Sequence, residues 1–360
     1  MKKTLIVFLI ASVFVGCNIS QRKSSDSEET KTNVMRQRVS VNHEWGTLKN
    51  VIIGRLIAEN IIIPELTDEM KKEVNYIPKK VIEKLSNYTG KRYADVFPDF
   101  VLPLEKQVEH FAQLVSEKGI IIHRNENLPV SAKTGDYYFG LQLYTRDPIL
   151  VIGNKVIITN LRSLWRRVER MALKEIIADI EENYDAEIIY MPELKEGYHP
   201  DNVYLEGGDV LLNGYEIYVG HSGHASNSKG IEWLKETLGP DYKVHEIKLR
   251  EDVLHLDCAL MLLNEHLGVK CNEIILSELP ASLASREWVI ATAEEARVMG
   301  TNACILDSTT VIMDNYHPRI ANALREKNHK VIEIPYDAGK ALGGGLRCSH
   351  HPLIRESTLK

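Results

Sequence analysis

The chain has 360 residues, 44% of them hydrophobic, and a formal net charge of −6. Mild acidity with no basic run in the body of the chain argues against a nucleic-acid partner. The five cysteines include no CxxC pair and are too few for a disulfide scaffold, so a zinc ribbon and a small stapled fold are both disfavoured and most are expected to be buried thiols.

Met1-Lys2-Lys3 is a short basic segment. Thr4 to Val15 is an apolar run too short to span a bilayer comfortably, as in a secretory signal. It ends Phe14-Val15-Gly16-Cys17, which resembles the lipobox of bacterial lipoproteins, although that pattern prefers Leu where Phe14 stands. The resemblance implies cleavage before Cys17, a lipidated Cys17, and a membrane-anchored, exported protein on the periplasmic or cell-surface face. The alternative is an ordinary cleaved signal. Residues 18–38 are polar and rich in Ser, Lys, Glu and Thr, without the apolar surface to offset ordering entropy, and are expected as a disordered tether.

From there a unit recurs. The first opens with Asn50 to Gly54, has extra helical material over 66–87, a helix near Leu104 to Glu117, and closes at Gly119 to His123. The clearest unit has two apolar runs, Ile149 to Ile152 and Val156 to Thr159, around a Gly153-Asn154 turn. A helical stretch from Ser163 to Asn183 and the strand Glu187 to Tyr190 follow. Next come Val210 to Leu212, the turn Asn213-Gly214, Glu216 to Val219, a helix over Ser228 to Leu238 and a strand over Lys243 to Leu249. The following unit has Ala259 to Leu263, Leu267 to Lys270 and a helix around Ser285 to Val298. The last has Ala303 to Leu306, Thr310 to Met313, a helix from Pro318 to Lys327 and the strand Lys330 to Ile334. Five β-turn-β-α-β units predict an α/β fold, either a closed ring with the helices outside or an open mixed sheet. In both, polar chemistry gathers at one end of the strands.

Five polar clusters interrupt the apolar pattern. Three lie directly before strands: Tyr144-Thr145-Arg146-Asp147, Glu206-Gly207-Gly208-Asp209 and His255-Leu256-Asp257. In extended chain His255 and Asp257 would face one space. A fourth, Arg166-Arg167-Val168-Glu169, starts a helix. The last is Gly343-Gly344-Gly345-Leu346-Arg347-Cys348, whose glycines permit positive φ and close approach. Each alone is an ordinary turn, helix face or loop; their shared position in the repeat singles them out.

Thr-Arg-Asp, Glu-Gly-Gly-Asp, His-Leu-Asp and Gly-Gly-Gly-x-x-Cys, in this order over about residues 42–355, resemble the guanidine-modifying enzymes of the pentein fold. These include arginine deiminases, dimethylarginine dimethylaminohydrolases and amidinotransferases. The resemblance implies a five-bladed α/β propeller over residues 39–360, with a small guanidino molecule as substrate. It implies Cys348 as the nucleophile that forms a covalent thiouronium, His255 as general acid and base, and Glu206 as its carboxylate partner. It also implies Asp147 and Asp257 as carboxylates holding the guanidinium, and Arg166 as a ligand of the substrate α-carboxylate. No metal or organic cofactor is expected. Cys348-x-His350-His351 is not read as a zinc site, because adjacent histidines point apart in most backbone states.

The motifs are mixed as to reaction. Glu206, Tyr144 to Asp147 and Arg166-Arg167-x-Glu169 resemble the hydrolases. His43-Glu44-Trp45, Gly230 to Leu234, Leu342-Gly343-Gly344-Gly345 and the absence of a long inserted helical domain resemble the amidinotransferases. His224 stands where deiminases carry a second carboxylate-binding arginine, which puts free arginine as substrate in doubt. Amine-independent hydrolysis is the expectation; amidino transfer to an amine is the alternative, and a non-catalytic guanidine-binding lipoprotein a further one.

Overall fold

Short apolar runs paired in hairpins build most of the described sheets, two of the hairpins turning through a glycine. The computed structural model describes residues 36–356, except 64, 66, 69–70, 72–78, 129–132, 135–136 and 139–141. The expected signal, Cys17 and nearly all of the expected tether lie outside the described residues, as does most of 66–78. Gln37 and Arg38, the last two residues expected as tether, instead pair in parallel with Tyr184 and Asp185.

The described strands form five three-stranded sheets of one pattern, plus two short ribbons. In each, an antiparallel pair is followed, after a crossover, by a third strand parallel to the second. Ile149–Ile152 pairs with Lys155–Ile158, which pairs with Glu187–Tyr190. Val210–Asn213, Glu216–His221 and Lys243–Lys248 repeat this. So do Leu260–Leu262, Leu267–Lys270 and Glu287–Ile290, and Cys304–Asp307, Thr310–Asp314 and Lys330–Ile334. Gly153 and Gly214 have φ of +59° and +66°, the left-handed backbone a two-residue hairpin turn requires and glycine adopts without strain.

The remaining sheet joins both ends of the domain. His350–Glu356 runs antiparallel to Thr47–Ile53, which pairs in parallel with Ile121–Arg124. The unit that opens at Asn50 therefore takes its first strand from the C-terminus.

Helices cover the crossovers. Ser228–Leu238 begins where the Asn227 side chain accepts the Gly230 N–H at 2.9 Å, and it buries Ile231, Leu234 and Leu238. Burying such a side chain stabilises by roughly 1.5–3 kcal/mol. The helical stretch after Ser163 is a 3-10 segment, Leu164–Leu173, continued by an α-helix, Lys174–Asn183. In the unit after Ala259 the expected long helix is corrected: Glu287–Ile290 is the closing strand, and only Ala293–Arg297 is helical. Trp288, Val289 and Ile290 favour a pleated, half-buried position, and pairing with Leu267–Lys270 prevails. Of 66–87, Lys79–Ser86 is helix. No described helix is long and apolar enough to cross a membrane.

Candidate active site

A polar residue stands just before the first strand of every three-stranded sheet. Asp147 precedes Ile149–Ile152, Asp209 precedes Val210–Asn213, and Asp257 precedes Leu260–Leu262. Asn302 precedes Cys304–Asp307, and Cys348 precedes His350–Glu356. Hydrogen bonds link these lead-in residues in chain order and return to the first. The Gly207 N–H donates to Asp147 O at 3.3 Å and the Gly208 N–H to Asp147 Oδ1 at 2.9 Å. The Leu256 N–H donates to Asp209 Oδ1 at 3.0 Å, and Thr301 Oγ1 donates to Asp257 O at 2.9 Å. The Cys348 N–H donates to Asn302 Oδ1 at 3.1 Å, and the Arg146 N–H donates to Cys348 O at 3.0 Å.

The glycines serve this convergence more by close approach than by positive φ. Of the three before Leu346, only Gly343 has a left-handed φ, +77°. A Cβ on Gly345 would lie 2.7 Å from Asn302 Oδ1, and one on Gly208 2.6 Å from His255 Nδ1.

One half of the site is a buried charge cluster. His255 Nε2 lies 2.9 Å from Glu206 Oε2, and His255 Nδ1 lies 3.8 Å from Asp147 Oδ1. Arg166 Nη2 is 2.9 Å from Asp147 Oδ2 and 2.9 Å from Glu169 Oε2, while Arg166 Nη1 is 3.7 Å from Glu206 Oε2. Burial alone would lower the His255 pKa. Asp147, the hydrogen bond to Glu206 and Asp209 outweigh it and raise the imidazole to about 10, so it is an imidazolium at neutral pH. Burial pushes Glu169 up to about 7, Asp147 and Glu206 adding to it against the pull of Arg166. Burial likewise pushes Asp209 up to about 7. Asp147 opposes its burial with His255, Arg166 and the Gly208 N–H, and its pKa falls.

The other half surrounds the thiol. Cys348 Sγ lies 3.7 Å from Asp257 Oδ2 and 3.2 Å from Asn302 Nδ2. Burial, then Asp257 and Asp147, hold the thiol well above its ordinary pKa. A cation placed against those carboxylates would reverse the local field and favour the thiolate. Arg347 backs this half: Nε and Nη2 each lie 3.1 Å from Glu44, and Nη1 lies 3.0 Å from Asp257 Oδ2.

Of the residues expected from sequence, Asp147, Glu206, His255 and Arg166 form one contact group, and Asp257 and Cys348 the other. Asp147 joins the groups through its field on the thiol. His255 and Asp257 do not share partners by strand alternation. Leu256–Cys258 is a 3-10 turn, so His255 turns to Glu206 while Asp257 turns to Arg347 and Cys348. The Arg166 guanidinium, expected at a substrate carboxylate, is packed against three protein carboxylates. His350 Nδ1 contacts Leu346 O at 2.7 Å, whereas His351 Nε2 accepts the Val151 N–H at 3.1 Å, so the two rings have separate partners. Asp147, Glu206 and His255 bring donor atoms within 4.8 Å of one another and could hold a cation; the Arg166 guanidinium already supplies positive charge there. The four described cysteines, Cys258, Cys271, Cys304 and Cys348, are free and buried.

Sequence reasoning missed Asn302, Glu44, Arg347 and Glu169 as site residues. Asn302 had a usable signal: it stands two residues before a unit's first strand, as Asp147 and Cys348 do. Glu44 and Arg347 lay in motifs already singled out, but nothing local shows that they pair.

The family described as N,N dimethylarginine dimethylhydrolase, eukaryotic, matches residues 106–355. Mitochondrial glycine amidinotransferase from Gallus gallus is 24% identical over 361 residues, covering 88% of this chain and 83% of that protein. The inosamine-phosphate amidinotransferase of Streptomyces griseus superposes with a TM-score of 0.77 at 20% identity, covering 90% of this chain and 99% of that one. Dimethylarginine dimethylaminohydrolase from Pseudomonas aeruginosa superposes with a TM-score of 0.59 at 18% identity, covering 85% and 99%. The match to the dimethylarginine hydrolase family spans more than half of the chain, and with it the chain belongs to the pentein superfamily of guanidine-modifying enzymes, which work through a cysteine nucleophile.

Proposed function

We propose that this enzyme hydrolyses the guanidino group of an arginine-like substrate. The observation that carries the reading is the buried His255–Glu206 pair, at 2.9 Å, on the segments of Asp209 and Asp257, which hydrogen bonds connect onward to the segment of Asn302 and to Cys348. An incoming guanidinium is held by Asp147 and Asp257. Its charge favours loss of the Cys348 proton to solvent, and the thiolate adds to the guanidinium carbon. The C–N bond breaks as the His255 imidazolium gives its proton to the departing nitrogen, leaving a thiouronium. Neutral His255, oriented by Glu206, then takes a proton from water as that water attacks the same carbon, and the C–S bond breaks. The products are a ureido compound and ammonia or an amine.

A second reading, transfer of the amidino group to an amine, is favoured by the glycine amidinotransferase relatives, which align over 88% of this chain. One assay separates the two. Purified enzyme with an arginine-like guanidine alone turns over steadily if water resolves the intermediate. A rate that rises at least about tenfold with glycine or ornithine, with a new guanidino product by mass spectrometry, overturns hydrolysis.

We also propose that the five sheets are blades of a closed propeller. The hydrogen bonds that pass from Asp147 round to Cys348 and back to Arg146 support it. The N-terminal basic and apolar segments and Gly16-Cys17 support export and membrane anchoring through a lipidated Cys17. Mass spectrometry of membrane-fraction protein should find diacylglyceryl on Cys17; an unmodified N-terminus elsewhere overturns it.

A further inference from the structure

Tyr144 brings to the site a polar group that the scheme above does not use. It stands three residues before Asp147 and is 7% exposed. Its ring lies over the glycine loop that leads to the nucleophile: a Cβ on Gly344 would come within 2.3 Å of Tyr144 Cε1 and 2.4 Å of Cζ. Tyr144, Leu346 and Cys348 belong to one buried cluster. The Tyr144 hydroxyl has no hydrogen-bond partner among the described residues. Burial, and after it Cys348, push the phenol well above its ordinary pKa, and Arg166 and Glu169 also act on it. The hydroxyl is thus a neutral donor and acceptor, carried on a ring packed against the loop that bears Cys348.

A buried hydroxyl without a partner is costly, and a ligand that supplies one gains specificity from it. Because the Tyr144 ring packs on the loop that leads to Cys348 and shares its buried cluster, it borders the approach to the thiol. Asp147, Asp257 and Glu206 accept several N–H groups, and the Tyr144 oxygen is one further acceptor. Two methyl groups on a terminal nitrogen remove its N–H donors and set apolar carbon against the hydroxyl.

We propose that Tyr144 Oη reads a free N–H of the substrate guanidine and so selects unmethylated guanidines over N,N-dimethylated ones. This rests on the guanidine-binding reading of the site, but it holds whether water or an amine resolves the intermediate.

The test is protection of Cys348 from alkylation by 2-chloroacetamidine, read by intact mass. L-arginine and asymmetric N,N-dimethylarginine serve as protectants, with wild type and Tyr144→Phe. In wild type, half-protection by arginine should need at least about tenfold less ligand than by the dimethylated compound. Tyr144→Phe should bring the two within about twofold, mainly by weakening arginine. Equal protection or a dimethyl preference in wild type overturns the inference without help from the variant, as does an unchanged ratio in a folded Tyr144→Phe. If wild-type Cys348 reacts no faster than a free thiol and neither compound protects it, the guanidine reading falls, and this inference with it.

Discussion

Asn302 holds Cys348 at two points: its Oδ1 accepts the Cys348 N–H at 3.1 Å, and its Nδ2 lies 3.2 Å from Sγ. One amide therefore fixes both the backbone and the sulfur of the nucleophile. Asn302→Ala leaves a buried N–H unmet, a loss of about 1–3 kcal/mol of stability, and should lower kcat about tenfold or more by freeing the sulfur. Asn302→Asp keeps the backbone acceptor but sets a carboxylate beside the thiol. It should recover stability without recovering kcat. Full activity in either variant would remove Asn302 from the positioning role.

Cys348→Ser should abolish turnover while the protein still binds guanidines. Serine is a poor nucleophile toward a guanidinium carbon, because its hydroxyl is far less acidic than a thiol and the Asp257 carboxylate beside it is too weak a base to ionise it. The loss in citrulline, urea or ammonia release should exceed about 100-fold. Activity within tenfold of wild type would exclude Cys348 as the nucleophile.

Arg347 is the sole ion-pair partner of Glu44 among the described residues, and it also pairs with Asp257. Removing a buried charge from such a group leaves its partners uncompensated. Arg347→Gln should cost about 3–5 kcal/mol in denaturant unfolding. Pairing it with Glu44→Gln should restore part of that loss, because one orphaned carboxylate disappears. Strictly additive losses would show that Glu44 and Arg347 are not coupled.

Stability should fall on the alkaline side. The folded pKa of His255 is about 10 against an ordinary 6.5, so its contribution is full below about pH 6.5 and is lost as pH rises through about 10. Glu169 and Asp209 act in the same sense. Their pKa values are raised to about 7 from 4.5 and 3.8, so their contributions, full below the ordinary values, disappear as pH rises through about 7. Thermal melts from pH 7 to pH 10 should show a declining Tm, and His255→Gln should flatten the upper part of the decline. A flat or rising Tm over that range in wild type contradicts the imidazolium assignment.

The amino-acid sequence by itself determined the repeat and the chemistry-bearing residues. Apolar runs separated by Gly153-Asn154 and Asn213-Gly214 encode hairpins in a few contiguous positions, and polar lead-ins such as Asp147 and Cys348 stand out against them. Ser228–Leu238 was legible for the same reason, since its buried face and its start signal are both local. Only the tertiary structure decided contacts between distant segments. Thr47–Ile53 finds its antiparallel partner at His350–Glu356, and Glu44 finds Arg347 across 303 positions. Neither has a local signature. Glu287–Ile290 became a strand because a neighbouring strand was there to pair with it. Arg166 turned inward because buried Asp147 and Glu169 draw a guanidinium more strongly than helix position predicts. Local pattern fixes which residues stand at the strand ends; long-range pairing and the field of buried charges fix which of them touch.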